Sequence, residues 1–275
     1  MTIHVPAVTT AAITSVTEGS ATADDDELSV EEPLQIDVSF SVHGRMVRRP
    51  LAVTMRTPGN DVELAAGFLF TEGLIRDGSE CADIRLGTNN IVHATLHPDV
   101  RVDAARFDRH SFISSSCGVC GKRSIAAVFA VRRHAPRAGV PQIDREIIHE
   151  LPRAQRAAQA SFDRTGGMHA AALFDAKGTL LLVREDVGRH NALDKLIGHL
   201  ARTGADVEDG FALLTSRCSY ELVQKAGIAR LPVLVTISAP TELAVSIAKE
   251  TRLTLVALAR PDAMLVFNDP FGMFA

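Results

Sequence analysis

Residues 211–240 have the sequence FALLTSRCSYELVQKAGIARLPVLVTISAP, and this stretch decides the fold class. Apolar runs at 211–215 and 233–237 predict two buried strands. Between them, residues 221–229 have the composition and apolar spacing of a helix. A strand, a helix and a second strand in this order indicate an α/β sheet covered by helices on both faces.

The same alternation extends over the second half of the chain. Further helices are predicted at 122–132, 143–161, 191–202 and 240–251, and further strands at 170–174, 180–183, 254–258 and 264–267. In sheets of this class, ligands bind beyond the carboxyl ends of the strands. The chain contains neither a Walker A sequence nor a Gly-x-Gly-x-x-Gly fingerprint, so no ordinary nucleotide-binding fold is indicated by motif.

The pattern divides the chain into three parts. Residues 1–30 are rich in Thr, Ala, Ser and acids, lack apolar periodicity and are predicted to be a disordered tail. Residues 31–110 are predicted to form an α+β domain, with alternation at Leu34, Ile36, Val38 and Phe40. Residues 111–275 are predicted to form the α/β domain.

Composition excludes several classes of function. A net charge of −4 argues against a general nucleic-acid binder, and so do one Tyr and no Trp. No apolar run reaches the roughly 18 residues of a membrane helix. The chain has four cysteines and no sign of a secretion signal, so we expect a reducing, cytoplasmic environment.

The pentapeptide CGVCG at 117–121 is the most specific chemical feature. It follows three serines and precedes Lys122 and Arg123. Small flanking residues predict an exposed, mobile loop, and the adjacent cations favour the reactive thiolate. Sulfur chemistry at Cys117 and Cys120 is therefore the first hypothesis.

Three other roles for this CxxC pair stay open from the residues alone. Structural zinc needs two more ligands, and the other cysteines, Cys81 and Cys218, lie in no second CxxC or CxxH pair. A thioredoxin-like dithiol requires a helix after the motif, which residues 122–132 would supply. A structural disulfide is disfavoured by the reducing environment.

Polar residues follow several predicted strands, and three of these junctions carry an arginine: Arg189, Arg217 and Arg260. Arginines and helix N-termini both bind phosphate groups, so we expect a crevice for a phosphate-bearing ligand. Helix capping alone would explain each junction taken singly. His169, at the entrance of a strand, is expected to be structural rather than catalytic. Glu185 and Asp186 are neighbours expected to point apart, so they are not favoured as an acid–base pair.

Six blocks of sequence, in their order along the chain, resemble the FdhD/NarQ family of formate dehydrogenase accessory sulfurtransferases. The blocks are GFLFTEG (67–73), CGVCG (117–121), GGMHAA (166–171), EDVGRHNALDK (185–195), SRCSYELVQK (216–225) and SAPTELA (238–244). The resemblance extends over about residues 33–267.

The resemblance implies a sulfurtransferase that receives sulfur from a cysteine desulfurase. Cys117 would carry it as a persulfide, with Cys120 as the second thiol. The acceptor would be the molybdenum cofactor, bis(molybdopterin guanine dinucleotide), which formate dehydrogenase then receives. The implied fold is a cytidine-deaminase-like three-layer α/β domain with a smaller N-terminal α+β domain, in a cytoplasmic homodimer.

The family's cofactor-binding segment maps to Leu258, Ala259, Arg260, Pro261, Asp262 and Ala263, and GDP is the expected ligand analogue. This chain has Pro261 where the family commonly has Gly, and Cys218 where a small residue is common. The zinc signature of the deaminases is absent, so no zinc is expected. A non-catalytic chaperone for the molybdenum cofactor, with a structural or metal-binding CxxC, is the alternative function.

Overall fold

The computed structural model describes residues 6–102, 112–113, 143–205 and 210–274. These residues form three sheets with helices packed against them, so the mixed α/β class is confirmed. The predicted helix at 122–132 lies outside the described residues. None of the helices within the described ranges is long and apolar enough to cross a membrane.

The first sheet is a hairpin of β1 (Val8–Thr17) and β2 (Ser20–Ser29), paired in antiparallel register throughout. The expectation of a disordered tail is therefore wrong for residues 8–29. The turn uses Gly19 at a φ of +97°, which glycine adopts without a steric penalty. Most β1 residues are β-branched, which favours a strand even where both faces stay largely exposed.

The second sheet has the order β5-β6-β3-β4-β7. Its strands are β3 (Glu32–Val42), β4 (Arg45–Arg56), β5 (Cys81–Leu86), β6 (Ile91–Leu96) and β7 (Phe112–Ile113). The predicted alternation in β3 is confirmed, since all four of its named apolar side chains are buried. Helix α1 (Asp61–Thr71) packs on this sheet, and a short 3-10 helix spans Gly78–Glu80.

The third sheet has six strands in the order β13-β12-β11-β10-β8-β9. They are β8 (His169–Asp175), β9 (Leu180–Asp186), β10 (Gly210–Leu214), β11 (Val233–Thr236), β12 (Thr254–Ala257) and β13 (Leu265–Asn268). Strands β10, β11 and β12 are parallel, and β8, β9 and β13 run antiparallel to their neighbours. Each strand predicted in this half of the chain is present, with ends shifted by at most three residues.

Helices cover both faces of the third sheet, as predicted. One face packs on α4 (Arg189–Thr203), α5 (Tyr220–Ile228) and α6 (Glu242–Thr251). The other face packs on α2 (Arg145–Ala157), which is followed by the short α3 (Ala160–Thr165). The single helix predicted at 143–161 is thus two helices.

Helices α1 and α4 join the second and third sheets through a very close crossing. A Cβ atom on Gly67 would lie 2.7 Å from the Asp194 carbonyl carbon and 2.9 Å from the Gly198 nitrogen. A Cβ on Gly198 would meet the backbone of Glu63 as closely. Only glycine permits backbones to approach in this way, which explains Gly67 in the block GFLFTEG.

The boundary predicted at residue 110 stays a prediction. Strand β7, at Phe112–Ile113, pairs with β4 of the second sheet, just beyond that boundary. The likeness to cytidine deaminases also stays a prediction, because the class of mixed sheet and helices does not by itself specify that fold.

Candidate functional site

One edge of the third sheet collects the polar junctions that the sequence predicted. The parallel strands β10, β11 and β12 end there, and so does β9. Strands β8 and β13 begin at the same edge, since His169 is opposite Asp186 and Leu265 is opposite Ala257. We call this the carboxyl edge; in α/β sheets it is the usual position of ligand sites.

The structure brings the three predicted arginines to this edge but spaces them widely. Arg189 is half-buried at the start of α4, after β9, whereas Arg217 and Arg260 are exposed after β10 and β12. Four strand steps separate β9 from β12, about 19 Å at ~4.8 Å for each step. A ligand that touches all three arginines must therefore be long.

The segment 258–263 forms a turn between β12 and β13. The Arg260 N–H donates to the Ala263 carbonyl at 2.8 Å, and His149 Nδ1 lies 3.1 Å from the Arg260 carbonyl oxygen. Leu258 has a φ of +54° and Ala259 is buried in the core. The exposed side chains of this segment are those of Arg260 and the three residues after it.

Two histidines lie at the β8–β9 end of the carboxyl edge. His190 Nε2 is 3.0 Å from a Glu221 carboxylate oxygen and 3.4 Å from the Ser219 hydroxyl, and Tyr220 donates to the same carboxylate at 3.2 Å. His169 is half-buried at the start of β8. Burial first, and then the charges of Arg189 and His190, lower the pKa of His169, although Asp186 acts in the opposite direction.

A buried ion pair fixes the start of α4. Lys195 Nζ lies 2.8 Å from Asp186 Oδ2, and both side chains are at most 1% exposed. Asp186 also accepts from the N–H groups of Thr57 and Gly188 and from the Asn191 amide, at 2.8–3.1 Å. These bonds compensate the cost of burying the charges, so this part of the block EDVGRHNALDK is structural.

A second buried pair ties α1, α4 and α5 together. Lys225 Nζ donates to Asp194 at 2.8 Å and to the Thr71 hydroxyl at 2.8 Å. Burial acts to lower the pKa of Lys225, but the charges of Asp194, Glu72 and Glu221 outweigh it, and the pKa is raised. Neither buried pair could be predicted from the sequence, because the partners in each pair are not related by a helical or strand repeat.

The two carboxylates Glu185 and Asp186 have separate partners, as expected. Glu185 accepts from the N–H groups of Ser161 and Phe162 at 3.0 and 2.9 Å, near the start of α3. Asp186 is committed to the Lys195 pair. They do not form an acid–base pair.

A cavity of about 180 Å³ lies beside the Asp186–Lys195 pair. Its lining includes Thr57, Asn60, Ser161, Glu185 and Lys195. The ammonium of Lys195 already donates to Asp186 and to the Thr57 and Glu185 carbonyl oxygens. The ammonium group of Lys195 therefore already has partners within the chain. Arg189, Arg217 and Arg260 are not among the residues that line this cavity.

The two described cysteines are poor nucleophiles. Cys218 is completely buried, and burial raises the pKa of its thiol to about 12. Burial, with smaller effects from Glu80 and Asp77, raises the pKa of Cys81 to about 11. Cys218 therefore adds no reactive thiol to the carboxyl edge.

Cys117 and Cys120 lie outside the described residues. The prediction that their loop is mobile concerns the same residues and stays a prediction. Within the ranges that the structure covers, no three or more His, Cys, Asp or Glu side chains are grouped closely enough to hold a metal ion. The roles predicted for the CxxC pair stay predictions.

Comparison with protein families and curated sequences gives consistent matches over almost the whole chain. The sequence model of the FdhD/NarQ family matches residues 30–273. A sulfur carrier protein FdhD of Mycolicibacterium paratuberculosis is 43% identical, over 93% of this chain and 95% of its own. Proteins of the same name from Streptomyces coelicolor and Thermoplasma acidophilum are 43% and 40% identical, over 92% and 89% of this chain and 90% and 86% of theirs.

A solved structure shares the fold. The crystal structure of a Desulfotalea psychrophila protein, described as a formate dehydrogenase accessory protein, superimposes with a TM-score of 0.72. The match covers 96% of this chain and 98% of that one, at 23% sequence identity. The arrangement of the hairpin, the second sheet and the third sheet is thus also found in a solved protein structure.

Proposed function

The chain belongs to the FdhD/NarQ family, and we propose that it is a sulfurtransferase that carries sulfur as a persulfide on Cys117. It receives this sulfur from a cysteine desulfurase and passes it to the molybdenum cofactor, bis(molybdopterin guanine dinucleotide). Formate dehydrogenase requires the sulfurated cofactor for its activity. The names of the relatives, sulfur carrier protein and formate dehydrogenase accessory protein, support both parts of the proposal.

The contrast among the four cysteines carries the proposal. A sulfur carrier needs an accessible thiol of low pKa, because the thiolate is the nucleophile. Cys81 and Cys218 have raised pKa values and are half-buried and buried. The sequence places Cys117 and Cys120 among glycines, serines and cations instead. Cys120 would exchange with the persulfide as a second thiol.

The carboxyl edge supports the second part of the proposal, which concerns the substrate. Bis(molybdopterin guanine dinucleotide) carries a guanine nucleotide with a pyrophosphate at each end. Arginines spread over about 19 Å suit such an elongated anion better than a single small ligand. We propose that Arg189, Arg217 and the segment 258–263 bind it, and that GDP occupies part of the same site.

The remaining elements of the proposal concern assembly and location. We propose a cytoplasmic homodimer that meets two partner proteins, the desulfurase and formate dehydrogenase. No metal ion is required for the proposed sulfur transfer, since the thiolate and the persulfide supply the reacting atoms.

Mass spectrometry after incubation with a cysteine desulfurase and cysteine tests the proposal. We expect a gain of about 32 Da on the peptide that contains Cys117. The Cys117→Ala variant should lose this gain, and the Cys218→Ala variant should keep it. A protein that binds GDP but never gains sulfur would instead be the non-catalytic cofactor chaperone.

A further inference from the structure

The outer part of the hairpin β1–β2 is exposed on both of its faces. Its base is held by the short helix α3, since Arg164 pairs with Glu27 and the Thr165 hydroxyl lies 2.8 Å from that of Ser29. Among the described residues, none outside the hairpin forms a hydrogen bond or ion pair with residues 11–26, which we call the acidic arm. The β1 part of the arm is about 23 Å long, at ~3.3 Å for each residue.

Both outer edges of the arm are open. The hairpin is a sheet of two strands, and no described strand pairs with its outer edges. An isolated two-stranded ribbon is only marginally stable in water. Its unpaired backbone N–H and C=O groups are a template on which a strand of another chain can add. The arm therefore has the backbone geometry of a docking element.

The charge of the hairpin has one sign. Residues 8–29 include five acids and no Lys, Arg or His. Within the part of the chain that the structure describes, no cation pairs with Asp24, Asp25 or Asp26, which are exposed on β2. The whole chain has a net charge of −4, so the chain without its hairpin is slightly positive. Two arms would repel each other, and a surface that binds the arm therefore needs unpaired cations.

Strand β4 has such cations at an open edge. Arg45, Arg48 and Arg49 are exposed, and no acid in the described ranges forms an ion pair with them. Strand β7 pairs with β4 only further along, so no described strand lies beside the outer edge of β4 at residues 45–49. We call residues 45–49 the basic strand.

The other edges of the second and third sheets offer no comparable charge. Arg85 on β5 pairs with Asp83, and Arg184 on β9 pairs with Glu63. Strands β7 and β13 contain no charged residue. For the residues that the structure covers, the basic strand is thus the sheet edge whose cations have no acidic partner.

We propose that the acidic arm of one copy of the chain pairs with the basic strand of a second copy, and that the exchange is reciprocal. The outer edge of β2 adds to the outer edge of β4, so that carboxylates and guanidinium groups lie side by side on neighbouring strands. A reciprocal contact of this kind is a two-fold interface and closes a dimer. The inference rests on the homodimer in the proposed function and not on sulfur transfer.

Sedimentation equilibrium of the full chain tests the inference without any variant. We expect a species of twice the 29.5 kDa mass of the chain. Its dissociation constant should rise roughly tenfold or more from about 0.05 M to about 0.5 M NaCl, because salt screens exposed charge pairs. A chain that is monomeric at about 100 μM would leave the arm to a different, basic partner and overturns the inference. A dimer that is indifferent to salt also overturns it.

Two charge-reversed variants and their mixture provide the second readout. Alone, each variant should dissociate at least on the order of 100-fold more readily than the wild-type chain, because both contacts then join like charges. Mixed in equal amounts, the two should form a dimer of one copy each, because both contacts then join opposite charges. The variants are Asp24→Lys/Asp25→Lys/Asp26→Lys and Arg45→Glu/Arg48→Glu/Arg49→Glu.

A third variant is the matched control, Glu146→Lys/Glu150→Lys/Glu250→Lys. It changes the net charge as much as the arm variant does, at exposed positions of α2 and α6, and should keep the wild-type dissociation constant. Reversed variants that dimerise as the wild-type chain does overturn the inference, and so does a mixture that stays monomeric. Where a variant does not fold, the salt dependence of the wild-type chain decides.

The outcomes separate the inference from the function on which it rests. If the reversed variants still dimerise, the homodimer stands and uses another surface. If the wild-type chain is monomeric, the homodimer falls together with the arm contact. In either case, the gain of sulfur by Cys117 is measured separately by mass spectrometry, and it decides on the sulfurtransferase.

Discussion

Substitution of Gly67 by alanine should destabilise the chain, because the crossing of α1 and α4 has no room for a Cβ atom. That atom would lie 2.7 Å from the Asp194 carbonyl carbon and 2.9 Å from the Gly198 nitrogen, and the carbonyl oxygen is closer still. Side-chain motion cannot relieve the clash, since the opposing atoms belong to the backbone. The two helices would have to move apart.

The size of the effect follows from two opposing contributions. Alanine in place of glycine inside a helix is favoured by about 1 kcal/mol. Overpacking costs typically about 1–3 kcal/mol, and more where the opposing atoms are rigid, because separated helices also lose dispersion contacts along the crossing. Because the Cβ atom would overlap backbone atoms that cannot rotate away, we take the overpacking cost as about 3–4 kcal/mol. The net loss is then about 2–3 kcal/mol, which lowers Tm by roughly 4–12 °C in a chain of this size.

Thermal unfolding followed by circular dichroism measures this effect, and Gly227→Ala is the matched control. Gly227 also lies inside a helix, α5, but its Cβ would meet only a Thr251 methyl carbon at 3.9 Å. The control should gain about 0.4–1 kcal/mol. Equal shifts of Tm for Gly67→Ala and Gly227→Ala would refute the close crossing.

Three further predictions concern binding, stability and the second thiol. The single substitutions Arg189→Ala, Arg217→Ala and Arg260→Ala should each weaken GDP binding by about 1.5–3 kcal/mol, as measured by calorimetry. Unchanged GDP affinity in all three variants would show that the binding site lies elsewhere. Lys225→Met should cost about 3–5 kcal/mol in urea unfolding, since it leaves the Asp194 carboxylate buried without its cation, whereas a loss below about 1 kcal/mol would contradict the buried pair. Cys120→Ala should slow sulfur transfer less than Cys117→Ala does, and the opposite order would reverse the two roles.

The sequence predicts the elements of the third sheet because its signals there are local. Apolar runs of four or five residues, such as 211–215 and 233–237, mark the strands. The polar residues after each run mark where the strands end, and parallel strands necessarily end at a common edge. For this reason the positions of Arg189, Arg217 and Arg260 along one edge could be predicted before the structure.

The hairpin β1–β2 could not be predicted in the same way, because few of its side chains are buried and its strands therefore lack apolar periodicity. It is held instead by strand pairing and by contacts with a distant helix. Arg164 pairs with Glu27, and the Thr165 hydroxyl lies 2.8 Å from that of Ser29. Contacts between residues so far apart in sequence carry no local pattern.

The buried ion pairs show a related limit for the candidate site. The block EDVGRHNALDK reads as a cluster of charged groups available for chemistry, yet Asp186, Asp194 and Lys195 are buried and paired. Burial cannot be inferred from residue type, since charged residues are usually exposed. Once these residues are assigned to the framework, Arg189 is the member of the block that we propose to bind a ligand.

Formate dehydrogenase activity in cells tests the central claim most directly. A bacterial strain that lacks its own family member would be supplied with the wild-type chain, with Cys117→Ala or with Cys218→Ala, each checked for equal abundance. Sulfur transfer through Cys117 predicts that the wild-type chain and Cys218→Ala restore the activity and that Cys117→Ala does not. Normal formate dehydrogenase activity with Cys117→Ala would contradict the account.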